Sequence, residues 1–389
     1  MSASRNQTDE APIPWLSLTA AIAAISVAGM GFGHSLPLFS VLLETYGASD
    51  FEIGLNTAVA AIASLIGAPY YPRIIERIGL RPFLLIALAV MVTPYLLVYL
   101  AGDQIIWWYP LRFIFSVGGG ALFAGSEIWI NAATPDRIRG RVIGLYGTCL
   151  ALGFALGPLV VDQTGYQGWL PFVVGAGVFS LAAIPLAIAK SPGMAEKSEG
   201  NIFKEMFKDR VLFGAAAMFA GVESAMLIFL PILAMEIGHG VSAGAHSLTI
   251  YGIGLLAAQT PVGKLCEMFS PGKVLTGCAA LGAALAFAVP FVQGELFLLQ
   301  AVLFLWGGAV GGIYTSGLVE LGNRFKGAAL SAANTGFVFT YALGAVVGPL
   351  AAGAVRGGIG PDGLLYGIAL SLGLYAVAAA RRRSGMAGA

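Results

Sequence analysis

Charged residues are scarce in this chain of 389 residues. Asp, Glu, Lys and Arg make up 11% of it, against about 25% in a soluble globular protein. So low a share excludes an ordinary soluble fold, whose surface carries far more charge. Cysteine is nearly absent. Cys149, Cys266 and Cys278 are odd in number, lie in or beside apolar segments, and fit neither a disulfide framework nor a metal-ligand spacing. No metal site is therefore expected. No Gly-Lys-Ser/Thr phosphate loop occurs, so ATP does not drive this protein directly. No nucleophile–base set stands out, and no polar stretch is long enough to fold into a catalytic domain, so an enzyme is not expected. The net charge of +1 says nothing about partners, and no nucleic-acid partner is expected. The first 14 residues show no basic n-region or cleavage site, and the apolar run after them is too long for an h-region. A cleavable signal peptide is not expected.

What the chain has is apolar sequence. It is 58% hydrophobic, with a mean hydropathy of +0.83, and its charges fall between long apolar runs. Twelve such runs approach the ~20 residues that cross a bilayer. They cover 15–41, 52–71, 82–101, 105–132, 141–163, 168–189, 211–235, 245–268, 273–292, 296–321, 328–353 and 361–380. Pro72, Pro82, Pro192 and Pro271 punctuate their ends. Trp107 and Trp108 open the fourth span, where an interfacial aromatic belt is expected. The fold class expected is an all-α membrane protein.

Nineteen of the 21 Lys and Arg residues fall in one alternate set of connections. The opposite set holds Arg356, and Arg112 lies within a span. An even number of spans puts both termini on one side, and the positive-inside rule makes that side cytoplasmic.

The chain also repeats itself. Ala151-Leu152-Gly153-x-x-x-Gly157-Pro158-Leu159 recurs as Ala342-Leu343-Gly344-x-x-x-Gly348-Pro349-Leu350, 191 residues later. Gly at i and i+4 lets a neighbouring backbone approach closely, and the Pro permits a bend. Close packing and a duplicated hinge are both open readings, and Gly144 precedes the first copy on the same span. Glu76 and Glu267 share the same offset, near the ends of the second and eighth spans. The expected organisation is therefore a tail at 1–14, a six-helix bundle at 15–189, a linker at 190–210, a second bundle at 211–380, and a tail at 381–389. Ile202, Phe203, Met206 and Phe207 give the linker an amphipathic helix for the membrane surface. Parallel six-span repeats place a solute site between the halves.

Three motifs carry a family resemblance. Pro72-Arg73-Ile74-Ile75-Glu76-Arg77-Ile78-Gly79-Leu80-Arg81 follows the second span, with Gly263-Lys264-Leu265-Cys266-Glu267 as its second-half copy. The fourth span carries Arg112-Phe113-Ile114-Phe115-Ser116-Val117-Gly118, and the fifth carries Gly144, Gly153, Gly157 and Pro158. With twelve spans and a central linker, the chain resembles the major facilitator superfamily over its full length. The first motif departs from the family pattern at Pro72, Glu76 and Leu80. The antiporter motif of the fifth span lacks its last glycines, at Val161 and Asp162. The tract from Ser126-Glu127 to Arg141 looks most like poorly characterised bacterial members. The resemblance implies alternating access between two pseudo-symmetric six-helix bundles. It also implies a cytoplasmic latch of Glu76, Arg77, Gly79, Arg81 and Glu267. Glu76 would face the positive N-terminal end of the eleventh span near Lys326-Gly327, and Glu267 that of the fifth near Gly140-Arg141.

Charges inside spans are rare and usually functional. Glu223 lies mid-span in the seventh helix, where loss of water suits a carboxylate to carry a proton; a structural hydrogen bond to a neighbouring Ser or Tyr is the alternative. Glu127, one turn before Asn131, lies in the fourth span, and Glu320 near the end of the tenth. Buried Arg112 needs a partner, with Asp162 and Glu127 as candidates; Glu127, about 22 Å along the same helix, is too far. His34 is a packing residue or a coupling site. Gln259, Asn56, Asn334, Tyr314 and Tyr341 are candidates for a cavity wall. The reading is a secondary active transporter of the cell inner membrane, multi-pass, with both termini cytoplasmic and expected to be a monomer. Its partners are a small-molecule solute and the bilayer; it needs no cofactor, and protons are the coupling ion. The partial antiporter motif and the apolar spans favour efflux of a small apolar or amphipathic solute. Proton-coupled uptake of a sugar or metabolite, and a non-transporting solute sensor on the same scaffold, are the alternatives.

Overall fold

A computed structural model describes residues 14–134, 138–190, 209–325 and 327–387. Among them all regular structure is helical. In order the long helices are Trp15–Thr45, Asp50–Gly67, Leu80–Ala101, Ile105–Ala133, Arg139–Thr164 and Leu170–Leu181, the last continued by Ala183–Ile188. The second half gives Arg210–Glu236, Gly240–Met268, Pro271–Val292, Leu296–Arg324, Gly327–Ile359 and Pro361–Ala387. These are the twelve expected spans, numbered below in that order. A short helix, Tyr71–Ile78, follows the second.

The differences from expectation are local. Among the described residues, eleven helices are long and apolar enough to cross a membrane. The eighth, Gly240–Met268, falls short although it has 29 residues. It carries His246, Ser247, Thr249, Gln259, Thr260 and Lys264 along its length, and packs against the fifth, seventh and tenth spans. The second span is shorter than read, because Pro72 starts a new helix instead of ending the old one. The sixth span is broken at Ala182. The twelfth runs on to Ala387, so much of the expected tail is helix. The amphipathic linker helix and the first tail lie outside the described residues.

Helix starts follow local chemistry. Ser49 and Glu52 cap the second span reciprocally, each accepting from the other's backbone N–H. Asp209 caps the seventh by accepting from Leu212 N–H at 3.0 Å. Arg324 and Arg382 pair with the same carboxylate, and Arg382 also reaches Glu320 at 3.1 Å. One end of the second half is thereby tied into a network. This end of the bundle, where the first helix begins and the basic loops lie, is called the basic end below; the other is the far end.

The repeated glycines make matching contacts in the two halves. A Cβ on Gly153 or Gly157 would overlap the backbone of Ser26, Met30 or Gly33 in the first span. A Cβ on Gly344 or Gly348 would overlap Ala217 or Gly221 in the seventh. Both contacts lie inside a half. They are the close packing that the motif permits, not a joint between the bundles.

The seams between halves run along the second and eleventh, the fifth and eighth, and the first and seventh spans. Near the far end the first of these is backbone to backbone. A Cβ on Gly54 would overlap the Pro349 carbonyl, and one on Gly353 the Asp50 carbonyl. Toward the basic end the seam helices have room: among the described residues Gly147 and Gly263 meet nothing within 4 Å, and Gln259 and Thr260 are exposed. The halves lean together at the far end.

Candidate functional site

Glu223 sits midway along the seventh span. The hydroxyl of Tyr341, on the eleventh, donates to its Oε2 at 2.8 Å, the kind of structural hydrogen bond named above as the alternative to proton carriage. Aromatic rings lie beside the pair, which is part-buried. Phe219 lies 4.9 Å from Tyr314 and 6.0 Å from Tyr341, centroid to centroid. Tyr314 contacts Phe337 at 5.4 Å and Tyr341 edge-on at 6.2 Å. A carboxylate among rings gains from such a partner, because a poorly solvated charge without one is costly. The hydroxyl of Tyr251, on the eighth span, also lies in the field of Glu223; it is buried without a hydrogen-bond partner among the described residues.

Glu127 belongs to the other half. Tyr314, on the tenth span, lies in the electrostatic field of both Glu223 and Glu127. Beside Glu127, Ser126 and Tyr146 share a hydrogen bond of 2.7 Å that joins the fourth and fifth spans. Phe32, Phe123 and Phe154 stack on the same side of the first half. The assembled wall is two carboxylates, tyrosine hydroxyls and many rings. Gln259 is exposed on the eighth span and Asn334 on the eleventh, whereas Asn56 is buried. The side chains of Asn131 and Arg141 lie outside the described residues, as does the surface of Gly144.

Other candidates separate from this site. Asp162 does not pair with Arg112. Its Oδ2 lies 3.7 Å from Nε2 of His246 on the eighth span and accepts from Gln163 at 3.2 Å. Arg112 is 3% exposed, with its guanidinium 5.1 Å from the Phe39 ring centroid and 5.3 Å from that of Phe115. Cation–π contact takes the place of the expected ion pair, and Nε and Nη1 have no hydrogen-bond partner among the described residues. Glu320 is taken up by Arg382. His34 is fully buried, and its Nε2 meets the Pro171 carbonyl at 3.0 Å. The Tyr95 hydroxyl donates to the same carbonyl at 3.3 Å. The Nε2 contact fits the packing alternative for His34, while its buried Nδ1 has no hydrogen-bond partner among the described residues. Replacement of His34 by Ala should remove about 1–3 kcal/mol of stability and lower the thermal midpoint. The pH profile of transport should keep its shape; a displaced profile would return His34 to the coupling route.

Among the expected latch residues, Glu76, Arg77 and Glu267 are exposed at the basic end. Gly79 adopts φ +86°, a turn that joins the short helix to the third span. Arg81 turns away from the seam and donates to the Ala187 carbonyl at the end of the sixth span. The facing helix starts, near Lys326 and Arg141, lie outside the described side chains.

A family model described as Major Facilitator Superfamily matches residues 21–247. The chain belongs to the Major Facilitator Superfamily. It is a transporter of that superfamily, not an enzyme. It is 28% identical over 360 residues to the "Uncharacterized MFS-type transporter YfkF" of Bacillus subtilis (strain 168), covering 90% of each chain. It is 22% identical to "Multidrug resistance protein 2" of the same organism, over 72% of this chain and 74% of that one. Over 42% of its length it is 30% identical to the class E tetracycline resistance protein of Escherichia coli, covering 40% of that protein. Among solved structures, the nucleoside transporter NupG superposes with a TM-score of 0.76 at 14% identity, covering 95% of this chain and 98% of that one. That likeness concerns the fold. The superfamily scaffold accounts for the twelve helices and for the seams between halves.

Two features escaped the sequence reading. The contact of His246 with Asp162 was one, and the setting of Arg356 the other. Arg356 carried a signal, since it stood apart from the other basic residues in its connection.

Proposed function

We propose that this protein is a proton-coupled secondary transporter that expels a small amphipathic organic solute by alternating access. The observation that carries the reading is a carboxylate, Glu223, midway along the seventh span, with Tyr314 in the field of both it and Glu127. A protonated Glu223 can stay beside Tyr341, and an ionised one can leave it for a solute or for water. The aromatic wall suits a ring-bearing or otherwise apolar body. Relatives named for multidrug and tetracycline resistance support efflux. By the positive-inside rule the basic end is cytoplasmic, so closure at the far end makes the described state inward-facing.

The test is transport in inside-out vesicles. Compounds are first screened for toxicity to a strain lacking the gene. Adding a true solute to vesicles holding a proton gradient should dissipate that gradient. Uptake that ignores the gradient, with every solute tried, would overturn proton coupling.

In the outward-facing state Glu76 and Glu267 are proposed to latch the cytoplasmic ends. Each would meet a helix N-terminus, a contact worth about 0.3–1 kcal/mol when exposed. Glu76→Ala should move the equilibrium further inward, and Glu267→Ala should do so less. Spin-label distances between the cytoplasmic ends of the second and eleventh spans report this. Identical distributions in both mutants and the parent would leave the two charges a role in topology alone.

A further inference from the structure

Arg356 is the one basic residue in the connections of the far end, and it is not in a loop. It lies in the last turn of the eleventh span, 4% exposed. Three carboxylates from three other helices face it. Nη2 donates to Glu236 Oε1, on the seventh span, at 2.6 Å. Nη1 pairs with Asp50 at the start of the second span, and lies 4.0 Å from Glu44 at the end of the first. The Phe229 ring packs against the guanidinium at 5.5 Å. Glu236 belongs to the same half as Arg356, whereas Asp50 and Glu44 belong to the other. The backbone contact of Gly353 with Asp50 lies one turn below.

We propose that Arg356 is the clasp of the far-end mouth. Its pairing with Asp50 and Glu44 holds the halves together in the described state, and must break before the far end can open. Glu236 and Phe229 stay with Arg356 and position it. The chemistry favours a reversible contact. When the halves part, each group regains water, so the charges do not remain buried and unpaired. While closed, a fork of N–H donors shared among carboxylates fixes the register of the second span against the eleventh. The site can be distinguished from an ordinary helix-end ion pair because its partners divide between bundles. The inference rests on alternating access, but on neither the solute nor the coupling ion.

The experiment uses the full chain in lipid nanodiscs without solute. Cys149, Cys266 and Cys278 are replaced by Ser, and spin labels are placed at Leu100→Cys and Phe297→Cys. Both sites are exposed far-end positions, one in each half. Arg356→Gln and Asp50→Asn should each raise the ratio of far-end-open to closed molecules about tenfold or more, since each removes the close ion pair that joins the halves. Glu236→Gln breaks no contact between halves and should change the ratio less than about threefold. The exchange Asp50→Arg with Arg356→Asp should restore the closed population. Should Arg356→Gln fail to fold, Asp50→Asn and the exchange still decide. A far-end distance unmoved in Asp50→Asn, or moved as far by Glu236→Gln, would overturn the clasp. Because no solute or proton gradient is used, failure of proton coupling leaves this result unaffected.

Discussion

Glu223→Gln should abolish transport driven by a proton gradient while leaving solute exchange across proteoliposomes intact. The substitution keeps the volume of the side chain and an oxygen to accept from Tyr341. It removes only the ability to bind and release a proton. In the parent, the carboxylate accepts one hydrogen bond from Tyr341, whose ring packs with Phe219 and Tyr314. A neutral amide there lets the halves rock, so counterflow should persist within a factor of about two to three. Gradient-driven movement should fall at least about a hundredfold, as expected when a group essential to coupling is lost. Tyr341→Phe should give a milder phenotype. The lost bond contributes about 1.5–3 kcal/mol where one partner is charged, and proton binding remains possible. Normal gradient-driven transport by Glu223→Gln would remove this carboxylate from the mechanism.

The second large effect concerns glycines, and it divides them into two classes. Gly157→Leu and Gly348→Leu should lower the yield of folded protein and its thermal midpoint. Their side chains would enter the backbones of Gly33 and Gly221, within one bundle, where overpacking costs about 1–3 kcal/mol or more. Both helix pairs lie inside one half, so no rocking of the halves relieves the overlap. Gly54→Leu and Gly353→Leu should behave differently. Each would strike the opposite half, at Pro349 or Asp50, and separation of the far ends removes the clash. These two should fold, with the far end held open and transport lost. Detergent-stability profiles and spin-label distances measured on all four variants separate the classes. Equal folding losses in all four would show that the seam between the second and eleventh spans is as permanent as the helix pairs inside each bundle.

The sequence made much of this fold legible because a bilayer imposes simple rules. Twelve apolar runs became twelve helices, and the 191-residue repeat became matched contacts of the fifth span on the first and of the eleventh on the seventh. Glu223 was legible as a single carboxylate in a long apolar run. Its partner was not, because Tyr341 lies 118 residues away and several tyrosines were equivalent in the sequence. Arg112 illustrates the opposite problem. Charge balance suggested Asp162, but aromatic rings filled the space around the guanidinium and His246 met the carboxylate. The eighth helix was read as a span, but its hydropathy falls below that of the others, because a seam helix need not be apolar on every face. Arg356 shows why ion clusters escape a linear reading: Glu44, Asp50 and Glu236 converge on it from three helix ends.

The most direct test of alternating access is to measure both ends of the bundle in the same preparation. One label pair spans the far end, at Leu100→Cys and Phe297→Cys. The other spans the basic end, at Ile74→Cys and Met268→Cys, both exposed and in opposite halves. Without solute, the far-end pair should be short and the basic-end pair long. Gly54→Leu or Asp50→Asn should lengthen the first and shorten the second together, with the two populations summing to unity. Ends that move independently, or a far end that opens while the basic end keeps its distance, would contradict a transporter that rocks between two faces.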